Sequence, residues 1–200
     1  SKDPLKDIVK FVEVDKLETI GFDNQVSFAY YQALQAIFEG YTLSPQTNFM
    51  EELRMIKDEK ELATIRKACS ISDRAFTDVL DFIKPGQTTE LQVANFLDFR
   101  MREYGASGIS FESIIASGYR SAMPHGVASD KVIQSGETLT MDFGCYYNHY
   151  VSDMTRTIHI GETTDEEREI YDIVLRSNRS LIDATKAGMT RRDYDKVARD

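Results

Sequence analysis

Residues 138–160 read TLTMDFGCYYNHYVSDMTRTIHI. Two runs rich in Thr, Met, Tyr and Ile flank a short Tyr-Asn-His segment, the pattern of a β-hairpin. Pairing Asp142 with Asp153 centres the turn on Tyr147 and Asn148. Side chains alternate faces along a strand, and opposed residues share a face. One face then carries Thr138, Thr140, Asp142, Asp153, Thr155, Thr157 and His159. The other carries Leu139, Met141, Phe143, Met154, Ile158 and Ile160, with Ser152 and Arg156 as its polar members. Asp is depleted in strands, and opposed like charges repel unless a proton or a cation sits between them. Carboxylate oxygens without sulfur suit hard divalent cations. Two readings follow: half of a metal site, or a register off by one that leaves both Asp residues at strand ends facing water.

The 200-residue chain is 42% hydrophobic and 28% charged, enough apolar content for a folded core. A formal net charge of −9 argues against nucleic acid or an anionic membrane as main partner. No apolar run reaches the roughly 18 residues that span a bilayer, and the opening SKDPLKD lacks a signal-peptide core. Cys69 and Cys145 fall on a predicted helix and the predicted hairpin. Nothing in their spacing supports a disulfide, and a reducing, cytoplasmic setting is expected.

Asp3-Pro4 predicts a helix running to about Val12. Strands are expected at Thr19–Phe22 and Tyr41–Leu43, with a helix over Val26–Phe38 closed by Gly40. This α/β segment, residues 1–50, has too few strands to close a sheet and reads as the tail of a small N-terminal domain. Asp58 with Glu61 opens a long helix, whose apolar face is read as Leu62, Ile65, Cys69, Ser72, Phe76, Val79, Leu80 and Ile83. Thr88 or Thr89 caps a second helix ending at Gly105, and Phe111–Ser117 is a strand. SGYRSAMPHG (117–126) is a loop. Thr164 with Glu167 caps a helix to about Thr185, Gly188 ends it, and Thr190 caps another.

Displacing the chain by about 100 residues superimposes IKPGQT (83–88) on TKAGMT (185–190), each after a long helix and before a capped one. Two generic helix pairs are the competing explanation. A true duplication divides residues 51–200 into a first repeat, 56–161, and the start of a second, 162–200. The chain is then expected to be a fragment truncated at both ends.

The segment FESIIASGYRSAMPHGVASDKVIQSGETLTMDFGCYYNHYVSDMTRTIHIG (111–161) resembles the pita-bread metallopeptidase superfamily, in its Xaa-Pro dipeptidase (prolidase) and aminopeptidase P branch. The likeness rests on SG..SA.PHG, DFG, SD.TRT and their mutual spacing, and extends from the IKDEKELATIRKAC helix (56–69) onward. GFDNQVSFAYYQAL (21–34) looks like the end of that family's N-terminal domain. The fold class implied is α+β: the first half of a pita-bread (creatinase/aminopeptidase-like) fold preceded by the tail of a small α/β domain. The resemblance implies two divalent metal ions in the complete enzyme, Mn first, with Co or Zn as alternatives. Asp142 is then a ligand of one metal and Asp153 bridges both. His125 contacts substrate and stabilises the developing tetrahedral centre. The remaining ligands, one His and two Glu, belong to motifs outside these residues, so the chain itself is expected to be inactive and a weak metal binder. The implied substrates are proline-containing dipeptides or peptides, and self-association, as a homodimer or otherwise, is expected of an incomplete repeat.

Departures from the family pattern are His149, where members often carry Gly, ASD in place of PSD at 128–130, and Tyr119-Arg120 in the loop. His149 reads as a solvated turn residue and His159 as a residue at the rim of the site. Thr155 is either a support for a ligand carboxylate or ordinary strand usage. Arg156 is expected to reach an acidic partner or the sheet edge. The alternatives in function are a methionine aminopeptidase-like or creatinase-like enzyme, or a non-catalytic pita-bread module that binds proteins.

Overall fold

The structure, a computed structural model, describes residues 7–10, 12 and 17–199. The helix expected from Asp3-Pro4 falls partly outside them; residues 7–10 and 12 are helical. The chain divides into two compact units, Ser1–Glu59 and Lys60–Asp200.

In the N-terminal unit, β1 (Thr19–Asp23) and β2 (Thr42–Gln46) pair in parallel, Thr19 opposite Thr42. Helix α1 (Phe28–Ile37) makes the crossover that parallel strands require. Ser27 caps it by accepting from the Tyr30 N–H, and Gly40 leaves it at φ +89°. Val12, Leu34 and Phe38 form the buried centre of this unit. Helix α2 (Phe49–Met55) follows.

The second unit opens with α3 (Glu59–Phe82) and α4 (Glu90–Glu103). Thr89, not Thr88, caps α4, exchanging hydrogen bonds with Gln92 in a capping box. The buried stripe of α3 is Ala68, Ile71, Ser72, Ala75 and Val79, whereas Cys69 and Leu80 face outward. The sequence reading followed the larger apolar side chains. The fold instead turns Ala68, Ile71 and Ala75 inward, and the Cys145 thiol of the sheet lies 3.7 Å from the Ala68 carbonyl oxygen.

Eight strands are formed among the described residues. β3 (Gly108–Ile109), β6 (Cys145–Tyr147) and β7 (Tyr150–Val151) make one antiparallel sheet. β4 (Ile114–Ser117), β5 (Thr138–Phe143) and β8 (Met154–His159) make another. The expected hairpin therefore runs through both sheets. Along β5 the predicted alternation holds: Leu139, Met141 and Phe143 are fully buried, while Thr138, Thr140 and Asp142 are half-buried. Those three apolar side chains pack with Val79, Leu97 and Met101, each burial contributing about 1.5–3 kcal/mol.

After the hairpin, Thr164 and Glu167 form the expected capping box on α5 (Asp165–Ala184), and α6 (Arg191–Arg199) follows Thr190. None of the residues of α5 is buried; Ile170, Ile173, Val174 and Ile182 are among its exposed apolar side chains. Among the described residues no helix is long and apolar enough to cross a membrane.

Candidate metal-ligand hairpin and histidine loop

The hairpin register differs from the one expected. Asp142 stands opposite Thr155, Phe143 opposite Met154 and Tyr147 opposite Tyr150. The turn is thus Asn148-His149, two residues with φ of 46° and 69°, the left-handed pair that a tight hairpin turn demands. The observed register lies two residues from the one that opposes the two carboxylates. A displacement of two keeps every side chain on its face, where a displacement of one would reverse them all. Asp142 and Asp153 consequently remain on the same side, as diagonal neighbours and not as a directly opposed pair.

What holds Asp153 there is a break in the ladder at Gly144 and Ser152. Ser152 is 3% exposed, and its hydroxyl accepts the Cys145 N–H at 3.0 Å, replacing a main-chain acceptor. The same hydroxyl lies 2.7 Å from the Ser72 hydroxyl on α3. The Ser152 carbonyl, released from the ladder, accepts from the Ser110 hydroxyl at 2.9 Å. A Cβ on Gly144 would lie 2.0 Å from that carbonyl oxygen, so the glycine of DFG is required by close backbone approach. Tyr150 adds a tie near the turn, donating its hydroxyl to Glu61 on α3 at 2.6 Å. Asp153 leaves this clamped segment exposed to solvent.

Thr155 donates its hydroxyl to Asp142 Oδ1 at 2.9 Å, which orients one carboxylate oxygen. His159 lies four residues along the strand from the level of Asp142, about 13 Å at strand rise. Its ring meets the Thr138 hydroxyl at 3.4 Å and the Glu162 carbonyl oxygen at 2.8 Å. Arg156 reaches Asp73 at 3.5 Å and lies over the Phe76 ring.

His125 is exposed in the loop after β4. That loop begins with a 3-10 turn, Gly118–Ala122, and returns through Val127, which bridges Ile114. Ile114 is itself the partner of Asp142. Val127, Ile114, Asp142 and Thr155 therefore lie in one row across neighbouring strands, placing the His125 loop roughly two strand spacings, about 10 Å, from Asp142.

The donor set suits a hard divalent cation in kind but not in number. Among the described residues no group of three or more His, Cys, Asp or Glu is placed to hold a metal ion. Asp142 and Asp153 supply a partial ligand set. A separate cavity of about 440 Å³ lies within the N-terminal unit, lined by Phe22, Asp23, Gln46 and Phe49 among others, and includes none of His125, Asp142 or Asp153.

Sequence reasoning omitted Glu90, the first residue of α4. Its carboxylate is wholly buried and accepts from Ser117, Arg120 and Ser129. Next to a capping threonine it reads as ordinary dipole-favoured surface charge.

An N-terminal α/β unit, followed by helices packed on a hairpin shared between two small antiparallel sheets, is the arrangement of the first half of the pita-bread fold. The chain belongs to metallopeptidase family M24, which residues 63–200 match; residues 2–56 match the Creatinase/Prolidase N-terminal domain. It is 38% identical over 204 residues to the Xaa-Pro dipeptidase of Pyrococcus furiosus, covering all of this chain and 58% of that protein. Among solved structures it is similar to the Xaa-Pro dipeptidase from Bacillus anthracis, with TM-score 0.89 and 41% identity over 98% of this chain and 55% of that one. The X-Pro aminopeptidase from Thermotoga maritima superimposes with TM-score 0.91 at 38% identity, over 98% and 56% of the two chains. The chain thus spans about half the length of the relatives it matches.

Proposed function

We propose that the protein represented by this chain is a metal-dependent dipeptidase that cleaves the Xaa-Pro bond of proline-containing dipeptides. The observation that supports this reading is that Asp142 stands in the sheet row leading to the His125 loop, with Asp153 two residues before its partner Thr155 and so on the same face by strand alternation. Asp142 would hold one divalent ion and Asp153 would serve both of two, Mn first. When bound, such ions supply a hydroxide at neutral pH and polarise the scissile carbonyl. His125 is assigned to the substrate, donating a hydrogen bond to the oxygen on which charge develops, a role worth ~2.7–4 kcal/mol where it has been dissected. Non-catalytic modules of this fold have no need of a carboxylate pair, and its presence here favours catalysis. By this reading residues 1–50 and 51–200 belong to two domains, an N-terminal remnant and an incomplete catalytic domain.

The 200-residue chain alone is expected to be inactive, because two carboxylates leave most positions of a six-coordinate ion to water. The exposed apolar face of α5 supports self-association, which light scattering after size exclusion tests. Two unpaired thiols, on Cys69 and Cys145, support a reducing, cytoplasmic setting.

The test has two arms. In protein extended to the length of its relatives, Asp153→Asn should abolish metal uptake and Xaa-Pro hydrolysis while circular dichroism stays unchanged; retained Mn or Co binding would overturn the ligand assignment. Metal-dependent cleavage of an Xaa-Pro dipeptide by the purified 200-residue chain would overturn its assignment as inactive.

A further inference from the structure

Glu90 is the one charged side chain among the described residues that is fully buried. Burying a carboxylate is unfavourable unless its oxygens are fully hydrogen-bonded. Here they are. Oε1 accepts from the Ser117 N–H at 2.7 Å and the Ser117 hydroxyl at 2.9 Å. Oε2 accepts from Arg120 Nε at 3.0 Å, the Ser129 N–H at 3.2 Å and the Ser129 hydroxyl at 2.6 Å.

Those partners are not scattered. Ser117 is the last residue before the His125 loop, Ser129 follows it, and Arg120 lies within it. One carboxylate therefore ties both stems of residues 118–128 and reaches the interior of the loop. Arg120 extends the tie, since its Nη2 donates to the Val127 carbonyl at 2.6 Å, directly across the turn that carries His125. Lys131 braces the same stem, donating to the Ser117 hydroxyl at 2.8 Å and to Glu137 at 2.7 Å. Arg120 thus ties Glu90 to the far side of the loop.

We propose that Glu90 is a positioning residue that holds the His125 loop, and hence His125, in place beside the carboxylate hairpin. The inference rests on the reading of His125 given above for its purpose, although the positioning itself is measurable without substrate. The chemistry is selective for a carboxylate. Ser117 N–H, Ser129 N–H and Arg120 Nε can only donate, and they are divided between the two oxygens. In Glu90→Gln, either orientation of the amide sets its NH₂ against at least one of them.

The experiment is backbone amide exchange in the ¹⁵N-labelled 200-residue chain, with the His125 ring resonances followed in parallel. In Glu90→Gln the amides of Ser117, Met123, Gly126, Val127 and Ser129 should exchange at least tenfold faster. Those of Leu139, Met141 and Phe143 in β5 should stay within twofold, and the His125 ring signals should move toward those of an unstructured peptide. Loop exchange within twofold of wild type, or β5 accelerated as much as the loop, would overturn the proposal, the second result marking Glu90 as merely structural. Should Glu90→Gln not fold, Ser129→Ala removes one tie and leaves the carboxylate; loop exchange at least threefold faster supports the proposal, and unchanged exchange overturns it. Titrating wild type with Ala-Pro separates the two readings. A His125 ring that does not respond counts against its substrate role and leaves the exchange result standing.

Discussion

Substituting Gly144 by Ala should break the hairpin between Asp142 and Asp153. The added Cβ would lie 2.0 Å from the Ser152 carbonyl oxygen and 2.5 Å from the Ser110 hydroxyl oxygen. Contacts under 3.0 Å essentially never occur for real Cβ atoms, so main chain must move by about an ångström. Ser152 has no slack to move alone. Its N–H donates to the Cys145 carbonyl at 2.9 Å, its hydroxyl accepts the Cys145 N–H, and its carbonyl accepts the Ser110 hydroxyl. Losing these three bonds at about 1 kcal/mol each, with residual overpacking on top, gives a destabilisation of about 3–5 kcal/mol. That corresponds to a melting temperature lowered by about 10 °C in a chain of this size. Urea denaturation followed by far-ultraviolet circular dichroism measures it. A loss below about 1 kcal/mol would refute the reasoning, because the segment would then have absorbed an ångström-scale shift without losing its ties. Asp153 follows Ser152 directly, so the variant should also displace one carboxylate relative to the other.

Three further outcomes are expected. Ser72→Ala removes the α3 partner of the buried Ser152 hydroxyl and should cost about 1–2 kcal/mol in the same denaturation assay, while Ser180→Ala at an exposed position of α5 serves as a near-neutral control. His149→Gly relieves a non-glycine residue at φ 69° and should stabilise the protein by about 1 kcal/mol, read as a higher melting temperature. Burial raises the Glu137 carboxyl, but Lys131, the Gln134 N–H and Ser117 outweigh it and hold the group below the usual carboxylate range. A carboxylate lowered in the folded state adds stability above its unfolded value, about 4.3, and loses it as pH falls through the lower folded value. The stability difference between wild type and Glu137→Gln should therefore be largest near neutrality and vanish in acid, as denaturation midpoints across pH 2–7 would record.

Much of this architecture is legible in residue order alone, where the determinants are local. Thr164 and Glu167 cap α5 as their spacing predicts, and Leu139, Met141 and Phe143 go inward because alternation along one strand needs no distant partner. The motifs that place the chain in its family are likewise short and contiguous. Tertiary structure decided what depends on contacts between distant segments. Spacing alone suggests that the carboxylates oppose one another; the turn at Asn148-His149 sets a register two residues away and makes them diagonal neighbours instead. The inward stripe of α3 runs through Ala68, Ile71 and Ala75, a face beside the expected one, because helical periodicity alone cannot rank neighbouring faces by depth. Glu90 shows the difference most sharply. Its meaning comes from Ser117, Arg120 and Ser129, 27 to 39 residues away along the chain, and only folding brings their donors to one carboxylate.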